Sequence, residues 1–340
     1  MTDREADGSG HAGDDMLRPF ELRRSRIRGR FVRLDTTLET ILTQHRYPDA
    51  VSALVAEATL LTALIGQAVK LRWRFSIQIR GDGPVRLIAT DYFAPEAEGR
   101  AARMRAYASF DRGDVASVRG APFSLIGRGV MGVTIDQGPD MTPYQGITPL
   151  TGTSLTDCAE TYFAQSEQLA TRFILLSAAA QAPGGKTQWR SAGLMLQLLP
   201  EAILDAAPDA PSGEEARLMT AEDVAAMGSR EEDWRRVNIL ASTVEEHEML
   251  GPHVAPDRVL NRLFHEEQPV LYPMQEVAFG CTCSAERVEA ALAQYSAKDI
   301  ASMTNAAGEV TADCQFCSAH YRFDPATLGF EATLPRRSKG

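Results

Sequence analysis

Four of the chain's five cysteines stand near its C-terminal end, as Cys281-Thr282-Cys283 and Cys314-Gln315-Phe316-Cys317. Thirty residues (284 to 313) separate the two pairs. Two close thiolate pairs, joined by an insert able to fold, can supply a closed tetrahedral zinc site. With sulfur at all four positions, no place remains for an activated water, so zinc catalysis is not indicated. His320 is the next candidate donor, but a closed site needs only four ligands and four thiolates are at hand. A structural zinc supplies about 10–16 kcal/mol of folding free energy in peptide systems. That rivals the roughly 5–15 kcal/mol stability of a whole domain. Peroxide or hypochlorous acid turns such thiolates into sulfenic acids, which condense with a nearby thiol. Each cysteine here has one two or three positions away. A disulfide between residues i and i+2 is strained, and strained disulfides are readily reversed. The spacing suits a redox switch as well as a plain zinc staple.

The insert has the signals of a small fold. Ser284 opens a helix that lines up Val288, Leu292 and Tyr295. Ser296 and Asp299 open a second, with Ile300 and Met303 on its inner side. Gly308 turns the chain, and Val310 leads into Cys314 as a strand.

Upstream, residues 19–200 read as an α+β domain with an antiparallel-sheet core. "RSRIRGRFVRL" alternates Arg26, Arg28 and Arg30 with Ile27, Gly29 and Phe31, the pattern of a half-exposed strand. The arginines between Arg18 and Arg33 could touch a polyanion, but in so acidic a chain they read as a solvated strand face. Helices are expected over Thr37 to His45 and Asp49 to Lys70. Strand-like "WRFSIQIR" and "VRLIATDY" flank Gly81-Asp82-Gly83-Pro84, a hairpin turn. Further strands are expected at Ala102 to Ser109 and Val130 to Gln137. A helix over Leu155 to Leu169 and the strand pair "TRFILLSAA" and "AGLMLQLLP" complete the domain. Residues 201–255 read as a linker, rich at first in proline and small or acidic residues. Two helices follow, opened by Thr220-Ala221-Glu222-Asp223 and by the capping box Ser229 to Glu232. The second puts Trp234, Val237, Ala241 and Val244 on one face, which needs a partner to cover it. Residues 256–330 then form the four-cysteine domain. Residues 1–18 and 331–340 read as tails, the first polar, acidic and disordered.

Composition narrows the function. The net charge of −10 disfavours nucleic acid and anionic membranes as partners. There is no apolar signal segment, and Val51 to Val69 reads as a buried helix, so a cytoplasmic chain with reduced thiols is expected. Gly127, Gly129 and Gly132 spell GxGxxG, but β-branched "VTID" follows where a dinucleotide site needs a helix. "GGKT" at 184–187 reads as a hairpin loop. His265-Glu266-Glu267 with a later CxxC lacks the proline of the zinc deaminases and leaves Cys281 and Cys283 idle. Cys158 reads as a small core residue. No nucleophile, base and orienting group come together, so no enzyme is expected.

"RLFHEEQPVLYPMQEVAFGCTCSAER" and "GEVTADCQFCSAHYRFD" resemble the segments carrying the CxC and CxxC of the heat shock protein 33 family, bacterial redox-regulated holdase chaperones. "GDGP" (81–84), "YQGI" (144–147), "YFAQSEQLATR" (162–172) and "AGLMLQLLP" (192–200) extend the resemblance over roughly residues 19 to 330. It implies an ATP-independent holdase of the oxidative stress response, idle while Cys281, Cys283, Cys314 and Cys317 hold one zinc ion. Oxidation would form Cys281–Cys283 and Cys314–Cys317 disulfides, the CxxC first. Zinc would leave, the C-terminal domain would unfold, and the linker would detach to expose apolar surface for unfolding client proteins. The oxidised form would associate into homodimers. The competing reading is a constitutive zinc-stapled binding module, for a partner such as nucleic acid, without redox switching.

Overall fold

The structure, a computed structural model, describes residues 14–181, 187–199 and 221–332. Two compact units divide the chain at Phe279 and Gly280.

The first unit is built on a mixed sheet. Strands β1 (Met16–Leu22) and β2 (Ile27–Leu34) form a hairpin, followed by helices α1 (Thr36–Thr43) and α2 (Asp49–Ala68). Then come β3 (Arg74–Gly81), β4 (Val85–Phe93) and β5 (Ala102–Phe110), short helix α3 (Arg112–Ser117), and strands β6 (Gly129–Asp136) and β7 (Tyr144–Pro149). Helix α4 (Leu155–Tyr162) precedes the long hairpin β8 (Thr171–Gln181) and β9 (Thr187–Leu198). The linker region contributes α5 (Ala221–Ser242) and α6 (Glu246–Leu250), and then come α7 (Pro256–Phe264), β10 (Pro269–Leu271) and β11 (Gln275–Phe279). The strand order is β7-β6-β3-β4-β5-β11-β1-β2-β9-β8, with β10 paired to the outer part of β1. Every pairing is antiparallel except β11 with β5.

Two apolar clusters lie on opposite faces of the β1-β2-β9-β8 half, because neighbouring residues on a strand point to opposite sides. Val32, Leu34 and Met195 join the cluster built around α2. Among the described residues α2 is long and apolar enough to cross a membrane, and its burial inside this cluster marks it as a core helix. Phe20, Phe31, Leu194 and Leu196 join the other cluster, which α5, α6 and α7 cover with Val237, Ala241, Met249, Val259, Leu263 and Phe264. Gly29 is required here: it lies opposite Phe20, and a Cβ would overlap the Phe20 ring.

Several expectations change. The N-terminal tail is shorter, since Met16 to Arg18 are already in β1; residues 1–13 lie outside the described residues, as do 333–340 of the C-terminal tail. Residues 256–279 pack within the first unit, because β10 and β11 find their partners in β1 and β5. Ser229 is not a cap: α5 runs unbroken through it, since "AAMG" before it is compatible with helix. Thr220 and the stretch 200–219 lie outside the described residues, as does most of the 184–187 loop, although β8 and β9 do pair on either side of it. The arginines are not all solvated. Arg33 is buried, and Arg18 and Arg30 are half-buried, Arg18 on Asp257 and Arg30 on Gln67.

The second unit holds α8 (Ala285–Leu292), α9 (Ala297–Met303) and the hairpin β12 (Val310–Asp313) and β13 (His320–Phe323). Its core is small, with Ile300, Val310, Phe323 and Leu328 buried and Val288 and Leu292 packed beside them. Met303, expected on the inner side, is 39% exposed, because so small a core cannot cover it. Tyr295 is exposed as well.

Candidate metal centre

Each cysteine pair sits where local structure aims both thiols the same way. Cys281 and Cys283 lie between β11 and Ser284, whose hydroxyl accepts from the Arg287 amide and starts α8. Arg287 also donates from Nη1 to Thr282 O at 2.7 Å, tying the helix start back to the residue between the two thiols. Cys314 and Cys317 lie in the turn joining β12 to β13. The turn is closed by the Ser318 amide on Cys314 O (2.8 Å) and the Cys314 amide on Ala319 O (2.9 Å). Ser318 adopts φ +55, which reverses the chain tightly enough to bring Cys317 back.

The four Sγ atoms all lie within 4.8 Å of one another. Between the pairs, Cys281 Sγ stands 3.6 Å from Cys314 Sγ, and Cys283 Sγ stands 3.3 Å from Cys317 Sγ. Sulfurs about 2.3 Å from a tetrahedral zinc stand about 3.8 Å apart, so the donor set fits such an ion. All four are half-buried, and burial pushes the Cys314 and Cys317 thiols up from the ordinary thiol range. Stabilising four thiolates this close together therefore calls for a cation among them. Tyr321 donates its hydroxyl to Cys283 Sγ at 3.1 Å, and that bond pushes the phenol up to about 12. His320 stands apart from the sulfurs: its Nδ1 pairs with Asp313 at 2.7 Å.

The family model described as Hsp33 protein matches residues 15–324, which span both units and all four sulfurs. The chain belongs to the heat shock protein 33 family. The 33 kDa chaperonin of Caulobacter vibrioides is 36% identical over 317 residues, covering 92% of this chain and 95% of that protein. That of Sodalis glossinidius is 32% identical over 310 residues, covering 91% and 92%. The crystal structure of the 33 kDa chaperonin (Heat shock protein 33 homolog) from Thermotoga maritima has a TM-score of 0.69 at 19% identity, covering 92% of this chain and 95% of that one, a likeness of fold. As a member of the heat shock protein 33 family the chain is a chaperone, whose partners are unfolded proteins, with four cysteines placed to hold a metal ion.

The other motifs fall where chemistry has no use for them. In this Hsp33 chain GxGxxG runs into β6, and no helix begins at Gly132. His265 is exposed, whereas Glu267 is 0% exposed and takes both Arg236 Nε (2.8 Å) and Nη2 (3.2 Å). That pairing, unlike the cysteines, carries no local sequence signature, since α6 and α7 lie between its partners. Cys158 is fully buried in the α2 cluster, where burial pushes its thiol up and Sγ donates to Thr151 O at 3.1 Å. A serine there can make the same bond, so Cys158→Ser should cost about 1 kcal/mol of stability. It should leave metal content and oxidant response unchanged, as measured by thermal melts and a chromogenic zinc assay.

Proposed function

We propose that this chain is a redox-regulated, ATP-independent holdase whose reduced form is kept idle by one zinc ion on Cys281, Cys283, Cys314 and Cys317. The observation that carries the reading is a donor set made of sulfur alone. Zinc held there would supply folding free energy to the second unit and leave no open position for catalysis. This chain's own residues do the rest. Peroxide takes two electrons from each thiolate pair, giving Cys281–Cys283 and Cys314–Cys317 disulfides, and a disulfide sulfur no longer serves as a thiolate ligand. With its staple gone, the four-cysteine unit from Gly280 onward loosens, and α5 and α6 of the linker leave the sheet. Phe20, Phe31, Leu194 and Leu196 are then uncovered, at about 25 cal/mol per Å² of apolar area returned to water. That surface captures unfolding clients and joins oxidised copies into homodimers. The net charge of −10 supports a protein-binding role without nucleic acid or anionic membrane.

The test is to treat zinc-loaded protein with peroxide at mildly elevated temperature. Zinc release, disulfide mapping by mass spectrometry and light scattering of a heat-aggregating client are followed together. Release, the two named disulfides and suppressed scattering, all reversed by a dithiol, are expected. Equal protection by the reduced, zinc-bound form sinks the switch and leaves the constitutive module. Mapping of Cys281 to Cys314 and Cys283 to Cys317 instead overturns the pairing.

A further inference from the structure

Arg33, on β2, has a side chain 1% exposed, and it spends its donors on one short stretch of the linker. Nε donates to Met249 O at 2.8 Å, and Nη2 to Glu248 O at 2.9 Å and Val254 O at 3.0 Å. Arg190, on the neighbouring strand β9, donates from Nε to Leu250 O at 3.0 Å. These carbonyls belong to the last turn of α6 and the loop beyond it, where a helix has no internal donors left to offer. The side chains of Met249 and Leu250 sink into the cluster that includes Phe31 and Leu194. Gly251, at φ +68, lets the backbone press against the guanidinium: a Cβ there would stand 2.8 Å from Arg33 Cζ. What else the two arginines touch stays with the sheet. Asp14 lies 3.5 Å from Arg33 and 2.9 Å from Arg190, and Asp35 lies 3.1 Å from Arg190.

Building on the holdase reading, we propose that Arg33 and Arg190 form a binding site for the C-terminal turn of a client helix, a site that α6 fills in the reduced protein. When residues 246–254 depart, Arg33 loses three carbonyl acceptors at once and keeps one carboxylate at 3.5 Å. Uncovered, the guanidinium is hydrated, and a ligand that sets carbonyls in the same positions replaces that water with charge-assisted hydrogen bonds. An unfolding protein offers frayed helix ends, whose free carbonyls come with apolar side chains beside them. The preferred ligand is therefore a peptide with two adjacent apolar residues followed by glycine, as in Met249-Leu250-Gly251. The site selects backbone as well as apolar surface, which a purely apolar face would not do.

The probe is a fluorescein-labelled peptide of residues 243–255 added to the oxidised full-length protein and read by anisotropy. Saturable binding, displaced by a heat-unfolding client, is expected. A peptide with Gly251→Ala should bind about tenfold more weakly, and so should the parent peptide on Arg190→Gln protein, a factor equal to about 1.4 kcal/mol. Arg190 is the arginine to change first, because Arg33→Gln strands more of the core. A scrambled peptide that binds equally well, or binding that clients do not displace, overturns the site. So does capture of clients without capture of the peptide, which leaves the holdase reading standing. Oxidised protein that captures neither overturns both.

Discussion

Replacing Cys314 with serine, or stripping the metal from reduced protein with a chelator, is expected to unfold residues 280–332 while the sheet around α2 keeps its protection. The second unit cannot stand on its apolar contacts. Its buried side chains are Ile300, Val310, Phe323 and Leu328, and α8 buries none. Each contributes about 1.5–3 kcal/mol, and domains this small generally need a disulfide or a metal as well. The caps at Ser284 and Ser296 add about 1 kcal/mol each and define the helices without holding them together. A structural zinc at about 10–16 kcal/mol is as large as all of these contributions combined. Hydrogen exchange should show amides of 285–303 and 310–323 exchanging freely in the metal-free protein. Those of α2 and of β3 to β5 should remain slow. Retained protection in 285–303 after complete metal removal would mean that the sulfurs are not the unit's main staple.

How far the sequence discloses this molecule depends on the range of the interaction concerned. The cysteine spacing, the caps at Ser284 and Ser296 and the Gly81 to Pro84 turn are local, and each is found where its pattern places it. The amphipathic face of Trp234, Val237, Ala241 and Val244 is legible too, and the structure supplies its cover in the sheet. Long-range pairings leave no such trace. β1 contains Pro19 and is buried on alternating sides by two different clusters, so it lacks a clean period and its first residues, Met16 to Arg18, look like tail. Residues 256–279 look like part of the cysteine domain until β11 is seen lying between β5 and β1. Arg33 breaks the alternation, standing on the side of Ile27 and Phe31, but nothing local names its acceptors, which come from about the 250th residue of the chain. Ser229 shows the reverse failure: its capping pattern is present, yet helix on both sides overrides it.

Arg236→Ala is expected to loosen α5 in the reduced, metal-loaded protein and to switch on client binding without oxidant. Glu267 is buried and bound bidentately by Arg236, and its carboxylate holds the guanidinium above its ordinary range. Glu267 belongs to the sheet side of this contact, since its carbonyl accepts from the Arg24 amide at 3.3 Å. Arg236 belongs to α5 and also pairs with Asp233 on the same helix. Deleting it leaves a buried carboxylate facing the helix that has just lost its cation. Breaking such a pair costs about 3–5 kcal/mol, and the lower figure applies because Arg236 is 31% exposed. That is enough to shift α5 docking by roughly two orders of magnitude. The zinc sulfurs are untouched, so metal content should stay at one ion per chain while amides of 234–242 exchange faster and client scattering falls. Pairing Arg236→Met with Glu267→Met removes the stranded charge and should restore docking, because an apolar pair of similar volume commonly matches a buried ion pair in stability. Slow exchange in Arg236→Ala, or a double variant as loose as the single one, would assign the grip on α5 to its apolar face alone.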